Sequence, residues 1–234
     1  MKNFLLNYLG NTEPCKDITL AGPVITISRE CGCSANRIAI KLSKILSGYS
    51  YQSENKKDVD WKWVNKEVIE KAALELEMHP EKVRNVFLSE VKKSLHEVTT
   101  AFSTEKVYDD DDQKVIDTVK SVIRQLACEG HCIIVGRAAS VLTKDIHQRV
   151  NIKLQAPLEW RTKRIMQISN MTHSEAQDYI LAIDGERDLF VHHIAGRKLD
   201  NTDFDIVFNY ATMLDDHIVD AILNVLKSRK MIIS

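Results

Sequence analysis

Arg29 and Arg37 flank a short turn of small and polar residues, Glu30-Cys31-Gly32-Cys33-Ser34-Ala35-Asn36, and Arg137 follows a second apolar run at Gly136. Further along, Arg161 and Arg164 lie three residues apart, and Arg187 and Arg197 bracket a segment holding His192 and His193. A guanidinium is planar and donates two parallel hydrogen bonds, which suits it to phosphate. Any one of these arginines is equally an ordinary surface residue. Repeated placement beside the ends of apolar runs is what points to anion recognition. The first turn adds to this, because a strand, a tight turn and a helix aim backbone N–H groups and a helix N-terminus at an anion. Its match to the phosphate-loop pattern G-x-x-x-x-G-K-[ST] is incomplete, since Gly32 is the turn's one glycine and no Lys-Ser or Lys-Thr pair follows it.

Other reactive side chains fit less well. Cys31-x-Cys33 is too closely spaced for a zinc knuckle, and no second pair follows. A partly exposed reactive thiol beside a helix N-terminus is the alternative reading of that pair. The acidic run Asp109 to Asp112 reads as the solvated start of a helix, where negative charge meets the positive end of the dipole. His192 and His193 diverge on a helix and read as polar surface. Trp61 and Trp63 read as packing residues of an inserted segment, not as stacking platforms for bases. No residue set is expected to ligate a metal.

The composition narrows the function classes. A chain of 234 residues accommodates one large α/β domain or a core with an insertion. A hydrophobic share of 44% and a charged share of 28% belong to an ordinary globule. Lys and Arg number 32 against 33 Asp and Glu, so the net charge of −1 gives no general attraction to nucleic acid polymers or anionic lipid. No apolar run reaches the roughly 18 residues of a membrane span. The odd set Cys15, Cys31, Cys33, Cys128 and Cys132 and the absence of a signal peptide suggest reduced thiols in a cytoplasm. Oligomeric state is not legible. Residues 1–21 read as an N-terminal extension with a short docking helix near its start, ahead of one domain over 22–234.

The elements that must position the arginines follow from periodicity. Val24 to Ile27, Cys132 to Val135, Val150 to Leu154 and Asp205 to Asn209 read as strands, and the continuous apolar run at Cys132 marks one buried on both faces. Helices are expected after Arg37, from Trp63 to Leu76, from Pro80 to about Thr99, from Gln113 to Cys128, from Leu158 to Ile168, after a Thr172-His173-Ser174-Glu175 start from Ala176 to about Phe190, and from an Asp215 or Asp216 cap to Leu226. Ser47 to Asp60 reads as an exposed loop. Alternating strands and helices predict a three-layer α/β/α fold with a parallel sheet, whose ligand edge lies at the carboxyl ends of the strands. Ser28-Arg29, Gly136-Arg137 and Gln155-Ala156 stand at such ends.

With these residues in place, Ile25-Thr26-Ile27-Ser28-Arg29-Glu30 and the Gly32 turn resemble the opening of the cytidylate kinase-like family, a branch of the P-loop nucleoside monophosphate kinases. Ile133 to Ala139, Ala156 to Arg161 and Lys163 to Met166 are similar to its second and third blocks, Asp184 with Arg187 to its lid, and Asp203 to Ile206 to its last strand. The resemblance implies a P-loop kinase fold with a helical acceptor-binding insertion at about 52–103 and a lid at about 184–202. It implies transfer of the γ-phosphoryl group of ATP, with Mg²⁺, to a nucleoside monophosphate, nominally CMP or dCMP, or a related small acceptor. It places Ser28, Arg29, Gly32, Cys33, Ser34, Ala35, Asn36 and Arg37 around the donor phosphates. Arg137 then faces the acceptor, Arg161 the donor, and Arg187 arrives from the lid.

The chain also departs from the family pattern. Ser34 and Ala35 stand where glycines are usual, Asn36 where arginine is usual, and Val64-Asn65 where Tyr-Asp is frequent. Side chains at such turn positions restrict φ and the approach of phosphate to backbone. Arg37 is the nearest replacement cation, about 100° further round a helix, and Ser34 could offer the hydroxyl for Mg²⁺. A catalytically weak or inactive nucleotide-binding protein, a sensor or partner subunit, is therefore the second reading.

Overall fold

The computed structural model describes residues 21–52, 60–65, 73–74, 77 and 110–232. In chain order the elements are β1 (Val24–Arg29), α1 (Ala35–Gln52), β2 (Lys62–Val64), α2 (Asp110–Glu129), β3 (Cys132–Val135) and α3 (Ala139–Leu142), followed by β4 (Arg149–Gln155), α4 (Leu158–Ser169), α5 (His173–Ala195), β5 (Ile206–Asn209) and α6 (Asp215–Ser228). The strands form one sheet in the order β2-β3-β1-β4-β5, and every pair is parallel. Register sets Ile27 beside Val135 and Ile152, and Arg29 beside Leu154.

Strand pleating divides the core in two. Ile25, Ile27, Ile133 and Ile152 face α1 and α6, where Ile38, Leu42, Ile218 and Ile222 are buried. Val24, Cys132 and Ile134 face the other layer, against Val115, Val119 and Ile123 of α2, Ala139 of α3 and Phe190 of α5. A smaller apolar group, Ile165, Ala176 and Ile180 with Cys31, joins α4 to α5 beside the first turn. Within the sheet, the buried Thr26 hydroxyl donates to Asn151 Oδ1 at 2.7 Å, and Asp205 accepts from the Asn151 amide at 2.7 Å.

Several element boundaries differ from the expectations. Lys62–Val64 is a short edge strand, not the start of a helix, with Val64 in one core layer and Trp63 against the other. Three residues carry too little alternation to separate the two readings. Trp61 is 5% exposed and packs in the sheet's own core, edge-on to His131. It is a packing residue of the core. Helix α1 runs to Gln52, into the expected loop; Ser43 and Ser47 are accommodated in it by bonding back to the carbonyls of Ile40 and Ser43. Helix α5 starts where the Thr172-His173-Ser174-Glu175 segment placed it and runs five residues further than expected at its C-terminal end, to Ala195. A reciprocal Thr172–Glu175 capping box starts it, and Gly196 at φ 70° ends it. The N-cap of α6 is Leu214, with no side-chain cap, because Asp215 turns to Tyr210 and Arg37. The N-terminal extension before residue 21, the helix expected over 80–99 and most of the proposed insertion lie outside the described residues. Among the described residues, no helix is long and apolar enough to cross a membrane.

Candidate functional site

β1 and β3 end side by side, and their last residues define the site. Gly136 follows β3 with φ 78°, and its amide donates to the Ile27 carbonyl at 3.0 Å. Arg137 (φ 58°) and Ala138 (φ 53°) continue in the left-handed region, where L side chains are strained. Gly136 is obligatory for a second reason, since a Cβ there would lie 1.8 Å from Arg29 Nη1. Arg29 Nη1 thus presses against the bare turn.

Arg187 reaches the same place from α5, and its Nη1 donates to the Arg29 carbonyl at 3.4 Å. Burial, then the guanidiniums of Arg187 and Arg137, pull the Arg29 pKa down to about 9. Arg29 is still charged at neutral pH, but three cations crowd one poorly hydrated corner. Such a corner is stabilised by an arriving anion.

Arg161 has the opposite surroundings. Its Nε donates to the Ala156 carbonyl at 2.9 Å and lies 3.3 Å from Glu30 Oε2. Its Nη1 pairs with Asp184 Oδ2 at 2.7 Å and meets the Cys31 carbonyl at 3.3 Å. The Glu30 carboxylate also accepts from the Ala156 amide at 2.9 Å. Asp184 is the hub of this region. Its Oδ1 accepts from the Cys31 amide at 2.7 Å and from Arg187 Nη1 at 3.2 Å, so one carboxylate ties the first turn, α4 and α5 together. Gly32, at φ 92°, allows this approach, since a Cβ there would stand 3.2 Å from Arg161 Cβ.

The turn itself is drawn tight. The amides of Cys33, Ala35 and Arg37 return to the carbonyls of Glu30, Cys33 and Ser34. Ala35 is 2% exposed and packs into the core below, so its methyl does not stand over the turn. Asn36 Oδ1 accepts from Asn65 Nδ2 at 3.1 Å. Arg37 pairs with Asp215 of α6 at 2.8 Å, its side chain largely in solvent. The Ser34 hydroxyl accepts from Arg164 Nη2 at 3.0 Å. A hydroxyl facing a cation does not fit a Mg²⁺ ligand, and among the described residues no three or more His, Cys, Asp or Glu gather to hold a metal. Ser28, at the end of β1, stands in register with Lys153.

Cys31, Cys33 and Cys132 are free thiols, and burial pushes all three pKa values up, those of Cys33 and Cys132 to about 12. Cys128, by contrast, is disulfide-bonded, which corrects the expectation of uniformly reduced cysteines. Sequence spacing does not reveal which sulfurs the fold brings within bonding reach.

The structure therefore brings Arg29, Arg137 and Arg187 together, packs Arg161 beneath them, and draws Arg37 away to α6. Sequence reading gave no site role to Glu30 or Tyr210, and noted Arg164 only as one of the clustered arginines and Asp184 only as part of the lid resemblance. Two spacings carried a signal: Asp184 lies one helical turn before Arg187, and Trp160 one turn before Arg164.

The fold and this edge define an α/β protein with a five-stranded parallel sheet whose ligand edge gathers arginines. The sequence pattern of the cytidylate kinase-like family matches residues 24–212, and the chain belongs to that family. No curated protein matches it. Among solved structures, the chain is similar to an uncharacterised protein from Eubacterium ventriosum, with 19% identity and a TM-score of 0.61, covering 88% of this chain and 98% of that one. A shikimate kinase from Bacteroides thetaiotaomicron aligns at 10% identity and a TM-score of 0.48 over 87% of this chain and 98% of that one. The Mycobacterium tuberculosis APS kinase CysC, in complex with AMPPNP and APS, aligns at 13% identity and a TM-score of 0.47 over 88% and 98%.

Proposed function

We propose that this protein transfers the γ-phosphoryl group of ATP to a small phosphorylated acceptor, with nucleoside monophosphates such as CMP and dCMP the first class to test. The carrying observation is the convergence of Arg29, Arg137 and Arg187 where β1 and β3 end. Phosphoryl transfer asks a protein for positioning and for positive charge around the moving group more than for a covalent catalyst. The three guanidiniums hold the acceptor's phosphate, and Arg187 links that phosphate to α5. Arg161 positions the first turn through Glu30 and Asp184. Mg²⁺ carried by ATP would supply further neutralisation of the phosphate charge, in keeping with its preference for phosphate oxygens and water.

A second reading has its own support. The amides of Cys31, Cys33, Ala35 and Arg37 are hydrogen-bonded within the protein, and Asn36 brings no charge to the turn. A nucleotide-binding sensor or partner subunit with weak or no transfer fits such a turn. Coupled assays with Mg²⁺-ATP across a panel of nucleoside monophosphates, run beside equilibrium titrations of both substrates, separate the two. Turnover of at least one acceptor upholds the first reading. Nucleotide binding without turnover selects the second, and absence of both overturns the pair.

A further inference from the structure

A carboxylate stands beside a corner suited to an anion. Asp184 precedes Arg187 by one turn of α5, and its Oδ1 accepts from Arg187 Nη1 at 3.2 Å. By charge alone this carboxylate weakens phosphate binding, since it opposes the guanidiniums that attract the ligand. Its geometry gives it another role. Arg187 stands beside Arg29, whose like charge repels it from the corner. Its side chain is 33% exposed, so solvent is open to it. A long cation in that setting turns to water in the empty protein unless something holds it. The Asp184 bond holds it, together with the bond from Nη1 to the Arg29 carbonyl at 3.4 Å. Asp184 is in turn fixed from outside α5. Its Oδ1 also accepts from the Cys31 amide at 2.7 Å, and its Oδ2 from Arg161 Nη1 at 2.7 Å. Arg161 is locked by Glu30 and the Ala156 carbonyl, and Glu30 by the Ala156 amide. A relay of bonds thus runs from the end of β4 through the first turn to Arg187, anchored on backbone at both ends.

We propose that Asp184 is a positioning residue of the anion site: it holds the Arg187 guanidinium beside Arg29, against their mutual repulsion, so that the corner is assembled before phosphate arrives. This rests on the phosphate reading of Arg29, Arg137 and Arg187 given above. An arginine held in place beforehand gives up less rotamer freedom on binding. The sign of the effect separates this role from plain electrostatics, because loss of a negative charge beside an anion site by itself tightens binding.

Titration with inorganic phosphate, by calorimetry on the full chain at fixed pH and ionic strength, tests it. Arg187→Met is expected to weaken phosphate binding about tenfold. Asp184→Asn is expected to weaken it about fivefold, although it removes a negative charge. In the Arg187→Met background, Asp184→Asn is expected to cost nothing further, because a residue that acts through Arg187 has no second route. Unchanged or tighter phosphate binding in Asp184→Asn overturns the proposal. So does an equal loss in the Arg187→Met background, which would make Asp184 a general support of the turn. If Asp184→Asn is poorly folded, the same cycle with Asp184→Glu decides, since a carboxylate moved by one methylene must still weaken binding through Arg187. Wild-type affinity in Asp184→Glu, or a loss that persists in Arg187→Met, then counts against the proposal. Wild-type protein that binds no phosphate, or Arg187→Met that binds it unchanged, removes the phosphate reading of the corner, a result distinct from a phosphate site indifferent to Asp184.

Discussion

Arg161 is buried and Arg29 half-buried; both touch the first turn, and they stand in opposite electrostatic settings. Arg161 lies among acceptors: Glu30, Asp184 and the carbonyls of Ala156 and Cys31. Arg29 lies among donors, with Arg187 and Arg137 beside it and Gly136 beneath. The same side chain is thus a structural rivet at one position and, at the other, a charge whose like-charged neighbours outweigh the nearby Asp184. Residue type announces neither role; the surrounding charges decide it.

The largest test of this contrast is Arg161→Met. It strips Glu30 and Asp184 of their shared cation inside the protein, and breaking a buried pair in this way costs about 3–5 kcal/mol. Urea unfolding should register that loss; a shift near zero would make Arg161 a surface-like arginine and erase the contrast. Arg29→Met should act in the other direction on stability. The folded state holds the Arg29 proton less tightly than the unfolded chain does, so below about pH 9 the charged side chain opposes folding. Its removal is expected to leave the thermal midpoint equal or higher at pH 7.5, while binding of CMP or inorganic phosphate is lost. By the same reasoning, anion affinity of the wild type should fall as pH rises through about 9. A lower midpoint with intact phosphate binding would mean Arg29 is structural.

Gly136→Ala perturbs the same corner more gently. The new methyl would meet Arg29 Nη1 at 1.8 Å and sit at φ 78°, so the guanidinium must move. Stability should drop by about 1 kcal/mol or more from backbone strain, and anion affinity about tenfold with the displaced charge. The two effects are separable by running melts and titrations on one preparation. The smallest expected effect concerns the paired thiols. Burial keeps Cys31 and Cys33 protonated far above neutral pH, Cys33 to about 12, so folded protein at pH 8 should resist iodoacetamide. Rapid alkylation of Cys31 or Cys33, read by mass spectrometry, would show the turn to be more open than its packing indicates.

Much of the scaffold was legible because parallel strands buried on two faces write continuous apolar runs, as at Cys132 to Val135. The edge strand Lys62–Val64 was not, since three residues next to tryptophans look helical as readily as extended. At the site, the arginines at strand ends could be read from position. Their partners could not. Asp184 is separated by 153 residues from the Cys31 amide it accepts, and Glu30 by 126 from that of Ala156. No local pattern encodes contacts of that length. Arg37 shows the same limit: proximity along the chain suggested a phosphate ligand, and its pairing with Asp215 of α6 was not legible there.

The Asp184 clasp makes the amide proton of Cys31 a natural reporter. That proton sits in a turn, where exchange with solvent is ordinarily fast, yet it is bonded to a carboxylate carried on a distant helix. Any tilt of α5 that withdraws the carboxylate releases the proton to solvent. Deuterium uptake at this one position therefore measures how often the helix lifts from the turn, with no substrate needed.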